Sequence, residues 1–173
     1  MDLAEKIREV PDFPKKGIGF KDITTLLKDP EALRYTVRTL ADYYRGRRIE
    51  MVVGVESRGF LFGAPLAYEL GAGFVLVRKP GKLPAETVRV DYQLEYGTDA
   101  LEIHKDAINP GQRVLVVDDL LATGGTIGAA ARRVEMLRGE IVGLAFVIEL
   151  AFLGGRQKLS KYDIFSLVAY NKE

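Results

Sequence analysis

Two adjacent carboxylates, Asp118 and Asp119, follow the apolar run Val114-Leu115-Val116-Val117 and precede a small, hydroxyl-bearing turn, Ala122-Thr123-Gly124-Gly125-Thr126. The run suits a strand buried on both faces of a parallel sheet. Such a strand cannot hold unpaired charges in its interior, so the two aspartates are expected at its carboxyl rim, facing water, a cation or a hydroxyl-rich ligand. A Gly-Gly pair lets the backbone approach a ligand without Cβ atoms in the way, and its N–H groups can converge on an anion at the start of the following helix. Carboxylates beside a phosphate cup point to a sugar phosphate. The turn lacks the lysine of a P-loop and is not a GxGxxG, so nucleoside triphosphate and dinucleotide sites fit poorly.

Other stretches carry groups that chemistry could use. Glu56-Ser57-Arg58-Gly59 follows the apolar Met51-Val52-Val53 and marks a second strand rim. Arg78-Lys79-Pro80-Gly81-Lys82-Leu83-Pro84 is a basic loop; by itself it reads as a solvated charge run. Phe20 lies on a Pro- and Gly-punctuated segment from Pro11 to Ile23 that should form no regular element, and read alone it packs in the core more readily than on a ligand. His104, the single histidine, alternates in phase with Glu102 on the polar side of a hairpin, which argues against an acid–base role.

The elements that must position these groups follow from periodicity. Asp2 to Val10 is expected as a short amphipathic helix with Leu3, Ile7 and Val10 on one side. Asp29-Pro30 is a capped helix start, followed at helical spacing by Leu33, Val37, Leu40, Ala41 and Tyr44. Strands are expected at Ile49 to Val55, Phe74 to Val77, Ile141 to Glu149 and Ile164 to Ala169, and helices over FLFGAPLAYEL, with Pro65 bending it or moving its start, and over Thr126 to Arg138. From Thr87 to Tyr96 apolar and polar residues alternate, and Leu101 and Ile103 against Glu102 and His104 complete an antiparallel hairpin around Gly97. Leu153-Gly154-Gly155-Arg156 reads as a turn with no phosphate role. Strands alternating with helices give an α/β fold with a mostly parallel central sheet and ligand at its carboxyl edge.

The chain has 173 residues, 47% of them hydrophobic, enough for one domain with a full core over 1–173. A formal net charge of +1 gives no reason to expect nucleic acid or an acidic membrane as partner. With no cysteine, disulfides and thiolate metal sites are excluded. The first ten residues carry charges every few positions and no apolar run, so neither a secretory signal nor a membrane span is expected there, and a cytoplasmic location is the default.

VLVVDDLLATGGT resembles the phosphoribosyl diphosphate (PRPP) signature of type I phosphoribosyltransferases, and DDLLATGGT is similar to the version in that family's adenine branch. The resemblance runs from about Pro11 to Ala169. It implies the type I phosphoribosyltransferase fold, with an amino-terminal hood over about 1–28 and a flexible flap hairpin over about 78–104. The implied reaction is transfer of a phosphoribosyl group from PRPP to adenine in purine salvage, giving AMP and diphosphate with Mg²⁺. By the same resemblance, Asp118, Asp119, Ala122, Thr123, Gly124, Gly125 and Thr126 bind the ribose and its 5′-phosphate. Glu56, Ser57, Arg58, Arg78, Lys79 and Lys82 meet the diphosphate, and the peptide between Glu56 and Ser57 is expected cis or strained. Gly19, Phe20 and Lys21 match the adenine-binding hood; many relatives carry Arg at the position of Lys21.

Glu95, in LEYG, falls where the family has a carboxylate that manages the proton of the base, and with Asp118 and Asp119 completes the implied catalytic set. The metal is expected to be held by substrate oxygens, with Asp118 and Asp119 acting through water and no protein cage. A homodimer is implied by the family alone. Two rivals stand beside this reading: a phosphoribosyltransferase for 6-oxopurines, for which Lys21 would supply a donor, and a PRPP-sensing regulator, for which the chain shows no DNA-binding extension or strong basic face.

Overall fold

The structure, a computed structural model, describes residues 1–93 and 98–172. Ala4–Lys6 is a single 3₁₀ turn and Arg8–Val10 a short strand, β1, which pairs antiparallel with β2, Phe20–Asp22. The amphipathic helix expected over Asp2 to Val10 is therefore not formed. Nine residues are too few for a helix to hold itself, whereas Phe20 to Asp22 offer Arg8 to Val10 a ladder for their backbone groups. Leu3 and Ile7 are still buried, as the periodicity required. The same pairing corrects the reading of Pro11 to Ile23, which does contain a strand.

Thr24–Leu27 forms α1 and Pro30–Tyr44 forms α2, whose cap is as expected: the Asp29 side chain accepts from the amides of Glu31 and Ala32, with Pro30 at the first helical position. Met51–Val55 is β3, Arg58–Leu70 is α3, and Gly73–Val77 is β4. Pro65 neither ends α3 nor sets its start; it lies inside the helix. Thr87–Gln93 and Thr98–His104, β5 and β6, form the antiparallel hairpin, with Thr87 opposite His104 and Gln93 opposite Thr98. Arg113–Leu121 is β7, Gly125–Met136 is α4, Glu140–Leu150 is β8, Gly155–Lys158 is the short α5, and Ile164–Tyr170 is β9.

The central sheet has five strands in the order β4-β3-β7-β8-β9, all parallel. Side chains of β7 alternate between its faces. Val114 and Val116 join a core with Ile127, Ala130 and Val134 of α4 and with Leu101 and Ile103 of the hairpin. Leu115 and Val117 join the other core, with Leu40 and Tyr44 of α2 and Phe62 and Leu66 of α3. The sheet is thus covered on both sides, which is why its strands read as nearly unbroken apolar runs.

Candidate active site

The signature strand does not stop at the aspartates. β7 pairs with β3 only as far as Val117 opposite Gly54, but continues against β8 through Asp118 opposite Phe146, Leu120 opposite Ile148 and Leu121 opposite Glu149. Asp118 and Asp119 therefore occupy a strand that has outrun one of its neighbours, which opens one side to the carboxyl edge of the sheet. Of the neighbours expected for the pair, water, a cation or a hydroxyl-rich ligand, water is not the one Asp119 meets, since its exposure is 2%. Burial, with the charge of Asp119 added, pushes Asp118 well above the usual carboxylate range. Burial also raises Asp119, against the opposing pull of Arg58. Arg58 Nε lies 3.0 Å from Asp119 Oδ2, yet at an angle that leaves this oxygen without a hydrogen bond.

The rim closes from the other side through Gly59. A Cβ there would lie 2.9 Å from the Val117 carbonyl oxygen and 3.1 Å from Asp118 Oδ1, so only glycine lets the first turn of α3 come this close to the aspartates. The peptide joining Glu56 to Ser57 is cis, as expected. Beyond β7, Gly124 takes a left-handed conformation, φ 86°, and caps α4, whose first turn opens on the same space. Together these elements line a pocket of about 370 Å³ that includes Glu56, Arg58, Lys79, Asp118, Asp119 and every residue of the turn from Ala122 to Thr126.

The remaining cations arrive through Glu56. Its carboxylate accepts from Arg78 (3.1 Å) and from the Lys79 amide (2.8 Å), and Lys82 Nζ lies 3.8 Å away. Burial works to raise Glu56, but the bonds from Arg78 and the Lys79 amide prevail and hold it below its ordinary value. Lys79 Nζ is 3.7 Å from Asp99 on β6. A cationic loop, a carboxylate pair and an amide-lined turn within one pocket can hold a molecule that carries hydroxyls between two anionic ends.

The phosphoribosyl transferase domain family matches residues 22–170. The chain belongs to this family. It is similar over 171 residues, at 63% identity and 99% of both chains, to adenine phosphoribosyltransferases of Clostridium perfringens and Solibacter usitatus. Its fold is that of type I phosphoribosyltransferases: the crystal structure of the adenine phosphoribosyltransferase from Thermoanaerobacter pseudethanolicus superposes with a TM-score of 0.94 at 61% identity, over 97% of this chain and 98% of that one. The Saccharomyces cerevisiae enzyme, crystallised with adenine and an imino-altritol bisphosphate, gives 0.90 at 43% identity, over 95% and 96% of the two chains.

Within this phosphoribosyltransferase, not every anticipated residue lines the pocket. Phe20 stands at its margin, with the Arg58 guanidinium 5.5 Å from the ring centroid and Phe13 packed edge-on at 5.1 Å. The Lys21 side chain turns elsewhere: it is buried, 3.0 Å from Glu9 and 4.3 Å from the Tyr170 ring centroid. A lysine committed in this way offers no donor to a 6-oxopurine. His104 accepts from the Ala85 amide in the hairpin base. Glu95 lies in 94–97, outside the described residues.

Three contributors escaped the sequence reading. Tyr92 and Asp99 face each other across the hairpin and line the pocket, with the Tyr92 hydroxyl 3.4 Å from Asp99. Burial pushes the Tyr92 phenol up, while the hydroxyl of Thr126 in the turn pulls it down. Gly155 supports the turn from behind, since a Cβ there would lie 2.3 Å from the Ala122 carbonyl oxygen. Its place is fixed by Arg156, which donates to Glu149 from Nε at 2.8 Å and again through its terminal nitrogen, and to the Ile164 carbonyl at 2.9 Å. Glu149 at the end of an apolar strand was the available signal: a carboxylate there requires a partner, and Arg156 is the cation after the Gly-Gly turn.

Proposed function

We propose that this protein transfers the 5-phosphoribosyl group of PRPP to adenine, releasing diphosphate and forming AMP. The observation that carries the reading is the sharing of one strand-to-helix junction by a carboxylate pair, Asp119 buried and Asp118 half-buried, and a glycine-bearing turn, in a chain alike over nearly its whole length to adenine phosphoribosyltransferases. In this reading, the amides and hydroxyls of Ala122 to Thr126 hold the 5′-phosphate. The α4 dipole adds only roughly 0.3–1 kcal/mol, so the hydrogen bonds supply most of the grip. Asp118 and Asp119 accept from the ribose 2′- and 3′-hydroxyls, and the unsatisfied Asp119 oxygen supports that assignment.

The bond from C1 to the diphosphate oxygen breaks with its electron pair leaving on the diphosphate, which Arg58, Arg78, Lys79 and Lys82 neutralise beside the Glu56-Ser57 backbone. C1 becomes oxocarbenium-like. Carboxylates partly or wholly removed from water, Asp118 and Asp119, act on that positive charge more strongly than solvated ones would. Adenine, stacked on Phe20 beside the backbone of Gly19 and Lys21, forms the new bond from N9, and Glu95 takes or relays the proton that the base must lose.

Mg²⁺ belongs to this reading as a substrate-bound ion that offsets the charge of the diphosphate. Among the described residues no group of three or more ligating side chains gathers to cage a metal, and Asp118 and Asp119 are suited to reach it through water. The reading also carries a homodimer, for which exposed Leu61 and Tyr68 on α3 and Leu76 on β4 supply apolar surface, and a cytoplasmic location. Among the described residues no helix is long and apolar enough to cross a membrane. The test is incubation with PRPP, Mg²⁺ and, in parallel, adenine, hypoxanthine or guanine, following diphosphate. Release with adenine alone is expected. Release with a 6-oxopurine instead would replace the substrate, and none with any base would end the reading.

A further inference from the structure

Arg133, on α4, is the largest side chain that the fold buries completely. Its guanidinium donates to the carbonyl of Leu101 on β6 at 2.8 Å, to that of Val90 on β5, and to that of Ala129 one turn back along its own helix. All three partners are main-chain carbonyls, which carry dipoles and no net charge. Burial, with the neighbouring charge of Arg132, lowers the guanidinium to about 10, so it stays protonated at neutral pH. A charge held this way is a poor device for stability, since an apolar side chain of the same volume commonly does as well or better. What the planar fork supplies, and a hydrophobe cannot, is simultaneous attachment to two strands.

The location gives that attachment a use. Val90 and Leu101 face each other in the hairpin, and two residues further toward its tip Tyr92 faces Asp99, both lining the pocket. At its other end α4 begins with the phosphate turn. We infer that Arg133 is a positioning residue for the transfer reaction: it fastens the flap hairpin to the helix that forms the phosphate cup, and so sets where Tyr92 and Asp99 stand over that cup. Cup and mid-hairpin then form one rigid unit. The inference rests on the reading of the pocket as a PRPP site.

Two variants and one measurement on the unaltered protein test it. Arg133→Met keeps length and removes every donor; Arg133→Lys keeps the charge and loses the fork. A displacement of about 1 Å in a positioned group can cost as much as 100-fold. Arg133→Met is therefore expected to raise the PRPP KM by roughly tenfold or more with the adenine KM unchanged, and Arg133→Lys to recover only part of the loss. A residue that merely stabilises would lower Tm without this split, so a folded Arg133→Met with PRPP KM within twofold of the parent overturns the inference. Hydrogen exchange on the unaltered protein decides the matter if the variants do not fold. Amides flanking Val90 and Leu101 should exchange as slowly as those of α4, and fast exchange at those same amides would sink the clamp. Calorimetric titration of parent and variant with PRPP alone separates the two readings. Weakened PRPP binding in Arg133→Met would support the clamp even if the parent makes no AMP; equal binding would overturn it.

Discussion

Replacing Gly155 by alanine tests whether the turn from Ala122 to Thr126, the proposed phosphate cup, is held from behind. Gly155 opens α5 and its φ is not in the left-handed region, so the backbone itself accepts alanine. Space is the obstacle. The new Cβ would lie 2.3 Å from the Ala122 carbonyl oxygen, 3.2 Å from its carbon and 3.0 Å from Leu121 Cδ1. Favourable contacts to carbon begin near 3.5 Å, so roughly an ångström must open between α5 and the turn. α5 is poorly placed to yield, because Arg156 ties it to Glu149 and to the Ile164 carbonyl. The turn from Ala122 to Thr126 is the side that moves.

Overpacking of this kind costs about 1–3 kcal/mol, which for a chain of this length lowers Tm by roughly 2–12 °C. The kinetic loss should be larger than that implies, because a 1 Å shift of a positioning group can cost up to about 100-fold. Gly155→Ala is therefore expected to raise the PRPP KM by roughly tenfold or more in a diphosphate-release assay while the adenine KM holds. Gly154→Ala is the control. Gly154 has φ 71°, so alanine there is strained, but its Cβ would meet only the end of the Gln157 side chain, at 3.1 Å. It should lose similar stability and keep the PRPP KM. The reasoning is refuted if both variants have PRPP KM within twofold of the parent, or if both lose it in proportion to Tm.

Asp118→Asn should stabilise the protein at neutral pH. Burial and the charge of Asp119 raise the folded-state pKa of Asp118 well above its ordinary value, so ionising it costs stability as pH rises from the ordinary value through the folded one. The variant's advantage should be largest at neutral pH and vanish below about pH 4, and a Tm difference that does not depend on pH would contradict this. Glu149→Gln should cost about 1–3 kcal/mol by denaturant unfolding, less than the 3–5 of a fully buried pair because 47% of the Arg156 side chain is exposed. Hydrogen bonds from Arg156 hold Glu149 below its ordinary pKa, so its contribution is present above about pH 4.5 and is lost as pH falls through the folded value; a loss that persists unchanged in acid would count against the pair. Glu95→Gln should lower kcat while leaving PRPP affinity within about twofold, and unaltered turnover would remove Glu95 from the chemistry.

Where one residue type answers to one physical demand, the sequence was readable. The Asp29-Pro30 cap, the strand before the aspartates and the Gly-Gly turn leading into α4 each have a single local explanation, and each lies where that explanation puts it. The amino terminus misled because Leu3 and Ile7 satisfy a helical period and also a 3₁₀ turn followed by a strand, and the partner that decides between them, Phe20 to Asp22, is distant in the chain. The end of β7 misled for a related reason. Two charges normally end a buried strand, but here β8 continues alongside after β3 has stopped. Gly155, Arg133, Tyr92 and Asp99 could not have been placed from spacing, since each acts on residues brought near only by the crossovers of the sheet.

The cations in and beside the pocket are all engaged with acids: Arg58 with Asp119, Arg78 and Lys82 with Glu56, Lys79 with Asp99. Such pairing keeps a crowded set of positive charges from repelling one another. The cations themselves keep contact with solvent, since between 29% and 60% of each one's side chain is exposed. A diphosphate carries more charge than any one of these carboxylates and meets several cations together, so exchanging partners toward it is favourable without a large penalty. Asp119 differs from Glu56 and Asp99 in this respect. Its hydrogen-bonding capacity at Oδ2 is unspent although Arg58 is near, and burial raises its pKa. It is thus poised to accept from a neutral hydroxyl, and to gain most when positive charge develops beside it. In the proposed reaction the half-buried Glu56 and Asp99 organise the cations until the anion arrives, whereas Asp119, the one acid of the pocket fully removed from water, serves the reacting carbon.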